Sequence, residues 1–428
     1  MIKTNMVLTE EQQAMLNGEK GEAMAKVMKT LVMYGEAFGA ERMVPVTSKY
    51  GHLVTSFGLS VMKPVYELID KLLEAGAVSG QKFSVDPRPL DKNVPSSFLQ
   101  NLLFKFMYSK QNSYEEQLGK MGLMNEKAFT CTCYLDEVGN IPQKGEILSW
   151  AESSAVVYAN SVLGARCNRN SGIIEMFGSI AGCVPYFGLL TDEGRMASWI
   201  VEIRTTKLPE AQVLGSAIGM KVMEDVPYIR GLTKFIGTQL DDKTKAYLKD
   251  MGAATASNGA VGLFHVEGLT PEALELGEKL IRPDAKTYII DDAELERVKA
   301  GYPCIWKDPD ASPKLCFVGC PHLSLIQLKE WTLRLESRLK ELNKEKVSVP
   351  TVFTASVPVL EAFNKTVESV KLAQMGVITS YICPLMYMNN PLCGKMPVIT
   401  NSNKLRTYTT SRYYTDDEIL DIITKGGK

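Results

Sequence analysis

Short strand-like runs alternate with helical stretches over much of the second half of the chain, and this alternation limits the fold more than any other feature. Strand patterns at 286–290, 315–318, 351–354 and 376–381 are separated by helical patterns at 292–300, 324–342 and 359–374. Regular alternation of this kind favours parallel sheets with helices on both faces. The sequence therefore predicts an α/β protein built from parallel-sheet α/β/α domains.

The chain is long enough for more than one core. At 428 residues it exceeds the size at which a single core usually stops growing, and 45% of its residues are hydrophobic. We expect at least two lobes. The segment 301–313, which is rich in Pro, Asp and Gly, is the clearest candidate boundary between them.

Charge and hydropathy argue against two classes of partner. The formal net charge is -1, whereas binding to nucleic acid or anionic membrane normally appears as a basic surplus or patch. No apolar run approaches the roughly 18 to 20 residues that span a bilayer, and residues 1–11 become acidic too early for a signal peptide. We expect a soluble, cytoplasmic protein that binds neither nucleic acid nor membrane.

The cysteines carry the strongest chemical signal. Nine cysteines in this length are too few for a disulfide scaffold, so in a reducing cytosol they are buried hydrophobes, catalytic groups or metal ligands. The run 129–133, Phe-Thr-Cys-Thr-Cys, is typical of a strand whose two thiols point to the same face. Cys131, Cys320 and Cys383 each fall at a predicted strand end, where they can converge on one edge of a sheet. Three thiolates would leave an iron with an open position for substrate, and zinc held with the help of His322 is the alternative.

A polar turn follows the first predicted strand, and such turns collect binding groups in α/β proteins. The turn 47–52 contains Ser48 and His52, which we assign to substrate binding. A solvated loop histidine is the alternative for His52. His265, in contrast, lies in an apolar strand and is expected to be a hydrogen-bonded core residue.

The predicted helix that starts at Ala151 has polar groups at both ends. Arg166 and Asn168 lie in the loop after it and are predicted to bind an anion and to hydrogen-bond the substrate. Glu152 and Ser153 lie in its first turn, where polar groups are unfavourable if buried unless they line a cavity or find partners. We keep these two as a second set of candidate catalytic residues.

Another polar cluster follows a short strand near the C-terminus. Asn401, Ser402 and Lys404 supply amide, hydroxyl and amine groups. We predict that Asn401 binds substrate and that Ser402 and Lys404 bind a carboxylate or help to move a proton. A turn with a solvated lysine is the alternative interpretation.

Taken in order, these pieces resemble the aconitase X family over nearly the whole chain. The resemblance is carried by the segments 130–134, 151–155, 160–169, 262–273, 319–324 and 400–404. Each motif alone is unspecific, but the ordered set is specific. Two residues depart from the family pattern: Cys133 stands where proline is common and could replace Cys131 as a ligand, and Cys167 replaces the usual threonine.

The resemblance implies an aconitase-like large body and an iron–sulfur cluster held by Cys131, Cys320 and Cys383. It leaves open whether the cluster is of the [4Fe-4S] or [2Fe-2S] type, and aerobic purification can remove such a group. It also implies a small swivelling domain supplied by a separate small subunit, because the sequence ends at Lys428 soon after the Asn401 motif.

The activity that the resemblance implies is dehydration of a small hydroxy acid by a hydro-lyase with an iron Lewis acid. Members of the family act on cis-3-hydroxy-L-proline or mevalonate 5-phosphate, and we expect hydroxyproline, converted to a pyrroline carboxylate. Mevalonate 5-phosphate is the alternative, because Lys49, Arg166, Arg169 and Lys404 could bind a phosphate. The hypothesis from another class is a non-catalytic metal-binding or scaffold subunit that is inert without its partner.

Overall fold

The computed structural model describes residues 4–55 and 58–426. The elements of the N-terminal part are α1 (Glu10–Asn17), α2 (Glu22–Ala37), β1 (Met43–Pro45), β2 (Gly51–Leu53), α3 (Lys63–Glu74), β3 (Phe83–Val85), α4 (Phe98–Met107), α5 (Gln111–Met121), α6 (Ser153–Tyr158), α7 (Gly172–Ala181) and β4 (Cys183–Pro185). Those of the middle are β5 (Ala197–Ile203), α8 (Ala211–Val222), β6 (Pro227–Arg230), α9 (Thr233–Ile236), α10 (Asp242–Asn258), β7 (His265–Val266), α11 (Pro271–Leu276), β8 (Ile281–Ile290) and α12 (Asp292–Ala300). The remaining elements are β9 (Leu315–Val318), α13 (Leu325–Glu341), β10 (Thr351–Thr354), α14 (Val357–Phe363), α15 (Val367–Gln374), β11 (Val377–Ser380), α16 (Pro384–Met388), β12 (Val398–Thr400), α17 (Asn403–Tyr408), β13 (Arg412–Tyr413) and α18 (Asp416–Lys425).

Two parallel sheets organise the middle and the C-terminal part of the chain. One has the strand order β7-β6-β5-β8 and the other the order β11-β10-β9-β12-β13, and every pairing within them is parallel. Two smaller sheets, β2-β3 and β1-β4, lie in the N-terminal part. The predicted α/β class with parallel sheets is confirmed.

Three large apolar cores lie under these sheets. The first is built around buried residues such as Phe83 and Leu31, the second around Trp150 and Phe264, and the third around Phe353. Burial of apolar surface is the dominant favourable term in folding. Among the helices of the described residues, none combines the length and the apolar character needed to cross a membrane.

Two predicted helices are each divided in the structure. The pattern at 96–121 forms α4 and α5, and the pattern at 359–374 forms α14 and α15. The first break falls at Tyr108, whose buried ring turns inward so that its hydroxyl donates to the Met386 carbonyl at 2.8 Å. A tertiary hydrogen bond thus overrides a continuous helical pattern, as tertiary context commonly does.

Arg195 forms a buried ion pair with Glu272 in the middle of the chain, and it also bonds to Asn160 nearer the N-terminus. Arg195 donates from Nε and Nη2 to the two carboxylate oxygens of Glu272, at 2.7 and 2.9 Å. Its other donors reach the Leu189 carbonyl and the backbone and side-chain oxygens of Asn160. The side chains of Arg195 and Glu272 are 1% and 10% exposed. Arg195 therefore satisfies groups from three segments that are distant in sequence.

Replacing Arg195 with methionine is expected to lower the free energy of unfolding by about 3–5 kcal/mol, because Glu272 would stay buried without its counter-ion. Denaturant unfolding followed by circular dichroism measures the change. The matched control is Lys144→Met, which breaks an ion pair with Glu275 whose side chains are 51% and 57% exposed, and it should cost less than about 1 kcal/mol. Equal losses in the two variants would contradict this account of Arg195.

Candidate active site

The three candidate thiols follow strands. Cys320 comes two residues after β9 and Cys383 three residues after β11, at the carboxyl end of the five-stranded sheet. Cys131 follows Phe129, which makes an isolated parallel bridge with Val85 at the end of β3. The prediction that 129–133 forms a strand is wrong, because only Phe129 pairs and the chain then turns. The five-stranded sheet therefore places Cys320 and Cys383 at its carboxyl edge, and the β2-β3 sheet places Cys131 near its own.

These thiols lie within electrostatic reach of one another. Burial is the main cause that raises the pKa of Cys131 and of Cys383, and a negative charge on Cys320 raises both further. Burial also raises the pKa of Cys320, while the Lys404 charge and a hydrogen bond with Ser402 act in the opposite direction. Ionised thiols are thus costly here unless positive charge is bound to them.

His322 connects the three thiol-bearing loops. Its backbone N–H donates to Cys131 Sγ at 3.4 Å. Its Nε2 donates to the Ile382 carbonyl, next to Cys383, and its Nδ1 accepts from the Thr130 hydroxyl, next to Cys131, both at 3.1 Å. Burial lowers the pKa of this histidine to about 4, so the ring is neutral and can make one bond of each kind. One side chain two residues after Cys320 therefore holds the other two loops.

Both ring nitrogens of His322 are engaged, so the alternative of zinc bound by three cysteines and this histidine does not fit. Within residues 4–55 and 58–426, no group of three or more His, Cys, Asp or Glu side chains is placed to hold a single metal ion. A cluster would make a different demand, because its thiolate ligands would be shared among more than one iron and the three sulfurs would not need to meet at one point. Cys131 and Cys320 are buried, Cys383 is half-buried, and the charge of Cys320 acts on both of the others, an arrangement that fits a cluster better than a single ion.

A buried ion pair lies beside the thiols. Lys404 Nζ donates to Glu152 Oε1, and the two side chains are 9% and 7% exposed. Burial acts to lower the pKa of Lys404, but the negative charge of Glu152, Cys320 and Asp86 outweighs it and raises the pKa. Burial acts to raise the pKa of Glu152, but Lys404 holds it at about 2. Lys404 and Glu152 are both candidates from the sequence, and the fold brings them into contact across 252 residues.

Asp86 completes this charged group and was not singled out in the sequence. Its carboxyl lies close enough to that of Glu152 for a hydrogen bond when one of the two is protonated. Burial and the Glu152 charge raise the pKa of Asp86 well above its ordinary value. His52 Nε2 lies 3.3 Å from Asp86 Oδ1, and His52 Nδ1 lies 2.9 Å from Ser84 Oγ. His52 is fully buried, so it contacts Asp86 and is not a solvated loop residue.

The loop after the Glu152 helix contains two arginines in different surroundings. Arg166 donates to the Leu190 carbonyl at 2.8 Å and to Asp192 at 2.5 Å. Arg169 lines a cavity of about 580 Å³ together with Ala151, and it makes no hydrogen bond or ion pair within the part of the chain that the structure describes. Burial lowers the pKa of Arg169, while the nearby Glu152 charge acts to raise it. Arg169 is thus a half-buried cation with room for an anion beside it.

Several other candidates have partners inside the protein. Asn168 lines the same cavity, but its amide donates to the Phe187 carbonyl and its side-chain oxygen accepts from the Leu189 N–H. Ser402 caps α17 and donates to the Cys320 carbonyl. Asn401 donates to Asp416 at 2.8 Å.

The remaining two predicted residues lie in different places. Ser153 is the first residue of α6, directly after Glu152. Ser48 is buried and donates to the Tyr50 carbonyl, in a surface cavity whose lining includes none of the three thiol-bearing residues. Ser153 is therefore next to Glu152 in the chain, whereas the cavity beside Ser48 is a different one from that lined by Arg169.

The two departures from the family pattern occupy apolar surroundings. Cys133 and Cys167 are fully buried in the second core, with Trp150 and Val157 among its members. Although Cys131 and Cys133 are two residues apart, they belong to different environments, because the chain turns between them.

Comparison with known proteins defines first the class and then the family. A family model of the aconitase X first domain matches residues 5–193, and one of the aconitase X second domain matches residues 197–300. The phosphomevalonate dehydratase large subunit of Thermococcus kodakarensis is 34% identical over 353 residues, which are 82% of this chain and 81% of that protein. The cis-3-hydroxy-L-proline dehydratase of Hypocrea jecorina is 27% identical over 80% of this chain and 55% of its own length.

A crystal structure of aconitase X from Thermococcus kodakaraensis in its holo form superposes with a TM-score of 0.79 and 28% identity, covering 98% of this chain and 100% of that one. Because the named relatives are dehydratases, the chain is a hydro-lyase. More narrowly, it belongs to the aconitase X family.

Proposed function

We propose that this chain is the large subunit of a dehydratase that acts on mevalonate 5-phosphate. The sequence alone favoured cis-3-hydroxy-L-proline, but similarity supports the alternative better. The identity is 34% to a phosphomevalonate dehydratase large subunit and 27% to a hydroxyproline dehydratase. The chain also spans 81% of the first relative and 55% of the second.

The observation that carries this substrate is the environment of Arg169. A phosphate ester needs a fixed cation at the site, and a guanidinium binds phosphate oxygens through paired N–H donors. Arg169 lines the cavity next to Ala151, the charge of Glu152 acts on it, and it makes no ion pair or hydrogen bond within the described residues. Hydroxyproline carries only its carboxylate and amine, so it would not need this extra cation.

The donor set fits an iron–sulfur cluster held by Cys131, Cys320 and Cys383, which would supply a Lewis acid for the departing hydroxyl. The Cys131 sulfur already accepts the His322 N–H. The Lys404 charge favours the ionised form of Cys320 and of Cys131. The protein thus offers thiolates together with a cation that offsets part of their charge.

The acidic pair next to the thiols handles protons in this proposal. Burial and the Glu152 charge raise the pKa of Asp86, which favours its protonated form. Glu152 stays ionised because Lys404 holds its pKa at about 2. When a protonated carboxyl beside an ionised one gives up its proton, a second negative charge arises. Here that charge would form on Asp86, close to the positive charge of Lys404. Asp86 is therefore the candidate proton donor, and Lys404 stabilises the negative charge left behind.

A separate small subunit is part of the proposal, because the phosphomevalonate dehydratase relative is named a large subunit. The Lys404–Glu152 ion pair argues against a non-catalytic scaffold role, because a buried ion pair is costly to form and this one acts on the charges of Cys320 and Cys131.

The test is to combine the chain with the small subunit from the same organism under anaerobic conditions and to assay both substrates side by side. We expect turnover of mevalonate 5-phosphate with a kcat/KM at least about 100-fold above that for cis-3-hydroxy-L-proline. Arg169→Met should raise the KM for mevalonate 5-phosphate by about 10- to 100-fold, which corresponds to losing one charge-assisted contact.

The matched control is Arg166→Met, an arginine in the same loop whose donors are already used by Leu190 and Asp192. Arg166→Met should lower the free energy of unfolding and change the KM for mevalonate 5-phosphate much less than Arg169→Met does. Preferred turnover of hydroxyproline, or an unchanged KM in Arg169→Met, would overturn the assignment of a phosphate substrate.

A further inference from the structure

Glu175 is a buried acid that the mechanism above does not use. It lies in α7, where every residue from Ile174 to Ala181 is buried. Its Oε1 accepts from the Val54 N–H at 2.6 Å, while its Oε2 has no hydrogen-bond partner within the described residues. Buried polar groups are almost always hydrogen-bonded, so an acid with one oxygen unpartnered indicates a role beyond packing.

Glu175 bonds two segments that carry residues of the active site. Val54 comes directly after β2 and two residues after His52. On the other side, the Glu175 backbone carbonyl accepts from the Ser149 hydroxyl at 2.9 Å, three residues before Glu152. One residue of α7 therefore holds the His52 segment through its side chain and the Glu152 segment through its backbone.

The two segments also touch each other, and α7 packs closely on one of them. The rings of His52 and Trp150 meet edge to face, with their centroids 5.6 Å apart. A Cβ added at Gly172, in the first turn of α7, would lie only 3.0 Å from Val54 Cγ1. Close packing of this kind leaves little freedom for the parts to shift. The bond between Glu175 and Val54 is therefore set in a rigid frame.

The surroundings of Glu175 favour its neutral form. Burial raises its pKa well above the ordinary value, and the negative charges of Asp86 and Glu152 raise it further. The N–H groups of Val54 and Ala151 act in the opposite direction. Because Glu175 makes no ion pair within the described residues, the neutral acid is the form that fits there.

We propose that Glu175 is a positioning residue for the dehydration, which holds the His52 and Glu152 segments together so that Asp86 lies beside Glu152. Asp86 is linked to the first of these segments by its contact with His52 Nε2 at 3.3 Å. The inference rests on the proposed function, in which Asp86 and Glu152 handle protons. Glu175 acts through its two hydrogen bonds, so it affects the rate of proton transfer more than the affinity for substrate.

The test compares two replacements of Glu175 in the two-chain enzyme, assembled anaerobically and assayed with mevalonate 5-phosphate and cis-3-hydroxy-L-proline. Glu175→Met keeps the length of the side chain but removes the acceptor for the Val54 N–H. It should lower kcat by about 30- to 100-fold and change KM by less than about threefold. Glu175→Gln keeps an oxygen acceptor without a charge, so it should hold kcat within about threefold of the unchanged enzyme.

The matched control is Ser171→Ala, which removes the N-terminal cap of the same helix and leaves the carboxyl in place. It should lower the denaturant midpoint of unfolding and keep kcat within about twofold. Equal iron content after anaerobic reconstitution shows that the fold and the thiols are intact in each variant. If the unchanged enzyme turns over a substrate and Glu175→Met is equally fast, the positioning role is wrong while the proposed function stands. A loss in Glu175→Gln as large as that in Glu175→Met would also overturn this role.

Infrared spectroscopy of the full-length chain gives a second readout that does not depend on turnover. The C=O stretching band of a protonated carboxyl is separate from that of a carboxylate, and the Asp86 band is assigned by its loss in Asp86→Asn. Glu175→Gln should leave this band in place, and Glu175→Met should shift or remove it, because Asp86 would no longer lie beside Glu152. If neither substrate is turned over, the proposed function falls and the infrared result alone decides the role of Glu175. An Asp86 band that is missing from the unchanged chain, or that stays in place in Glu175→Met, would overturn it.

Discussion

Lys404→Met is expected to reduce the rate of dehydration by about 10²–10³-fold and to lower the free energy of unfolding by about 3–5 kcal/mol. Both effects have one cause. The ammonium group of Lys404 is the partner of the buried Glu152 carboxylate, and its charge also acts on Cys320 and Cys131. Without it, Glu152 would be left unpaired and the thiols would lose a stabilising cation. Steady-state kinetics of the two-chain enzyme and denaturant unfolding measure the two losses.

The double variant Glu152→Gln, Lys404→Met separates stability from chemistry. It removes both charges, so no uncompensated charge stays buried, and most of the lost stability should return. The rate should not recover, because the cation near the thiols is still missing. Recovery of turnover in the double variant would mean that Lys404 serves only to neutralise Glu152.

The same pair predicts a dependence of stability on pH. The pKa of Glu152 is about 2 in the folded chain and ordinarily 4.5. The stabilisation is therefore complete above about pH 4.5 and is lost as the pH falls toward 2, with a full size on the order of 3 kcal/mol. In Lys404→Met this acid-dependent loss should be absent. The free energies of unfolding of the unchanged protein and of Lys404→Met should therefore become more similar at low pH.

Cys131→Ala is expected to abolish iron binding, whereas Cys133→Ala should keep it. These two cysteines are two residues apart and are both buried. Cys131 lies in the field of Cys320 and Asp86, while Cys133 packs in the second core. Iron and sulfide per chain after anaerobic reconstitution, with turnover as a second readout, measure the difference.

Cys133→Ala carries its own expected cost, a loss of about 1–2 kcal/mol of stability from the small cavity that it leaves. Loss of iron in Cys133→Ala with retention in Cys131→Ala would reverse the assignment of the ligand. Retention of iron in both single variants would mean that either thiol can serve, as the sequence left open.

The sequence predicted the sheet class and the placement of two thiols because both follow from local pattern. Cys320 and Cys383 come directly after strands whose buried, β-branched character is visible, and strands of one parallel sheet end at one edge. Lys404 was a candidate for the same reason, since it follows β12. Whether a residue lies at the end of a strand can be predicted from a single sequence.

Asp86 and Arg169 were harder to recognise because their importance depends on contacts between distant segments. Asp86 stands in the run Asp-Pro-Arg-Pro, which indicates a break in regular structure. Nothing in that run indicates that the Asp86 carboxyl lies beside Glu152. Arg166 and Arg169 look equivalent in sequence, but only the fold gives Arg166 its partners at Leu190 and Asp192. A loop arginine that keeps its donors free can be identified only after its neighbours are known.

The bonds made by His322 have a consequence for how the chain acquires its cofactor. They join the Thr130, His322 and Ile382 loops through hydrogen bonds within the protein, so we expect these bonds to hold the thiols in place before a cluster is bound. Structural zinc domains fold only as the metal binds, and their binding energy is spent on folding. This chain should instead be a preorganised host, and repeated loss and reinsertion of the cluster should proceed without unfolding the polypeptide.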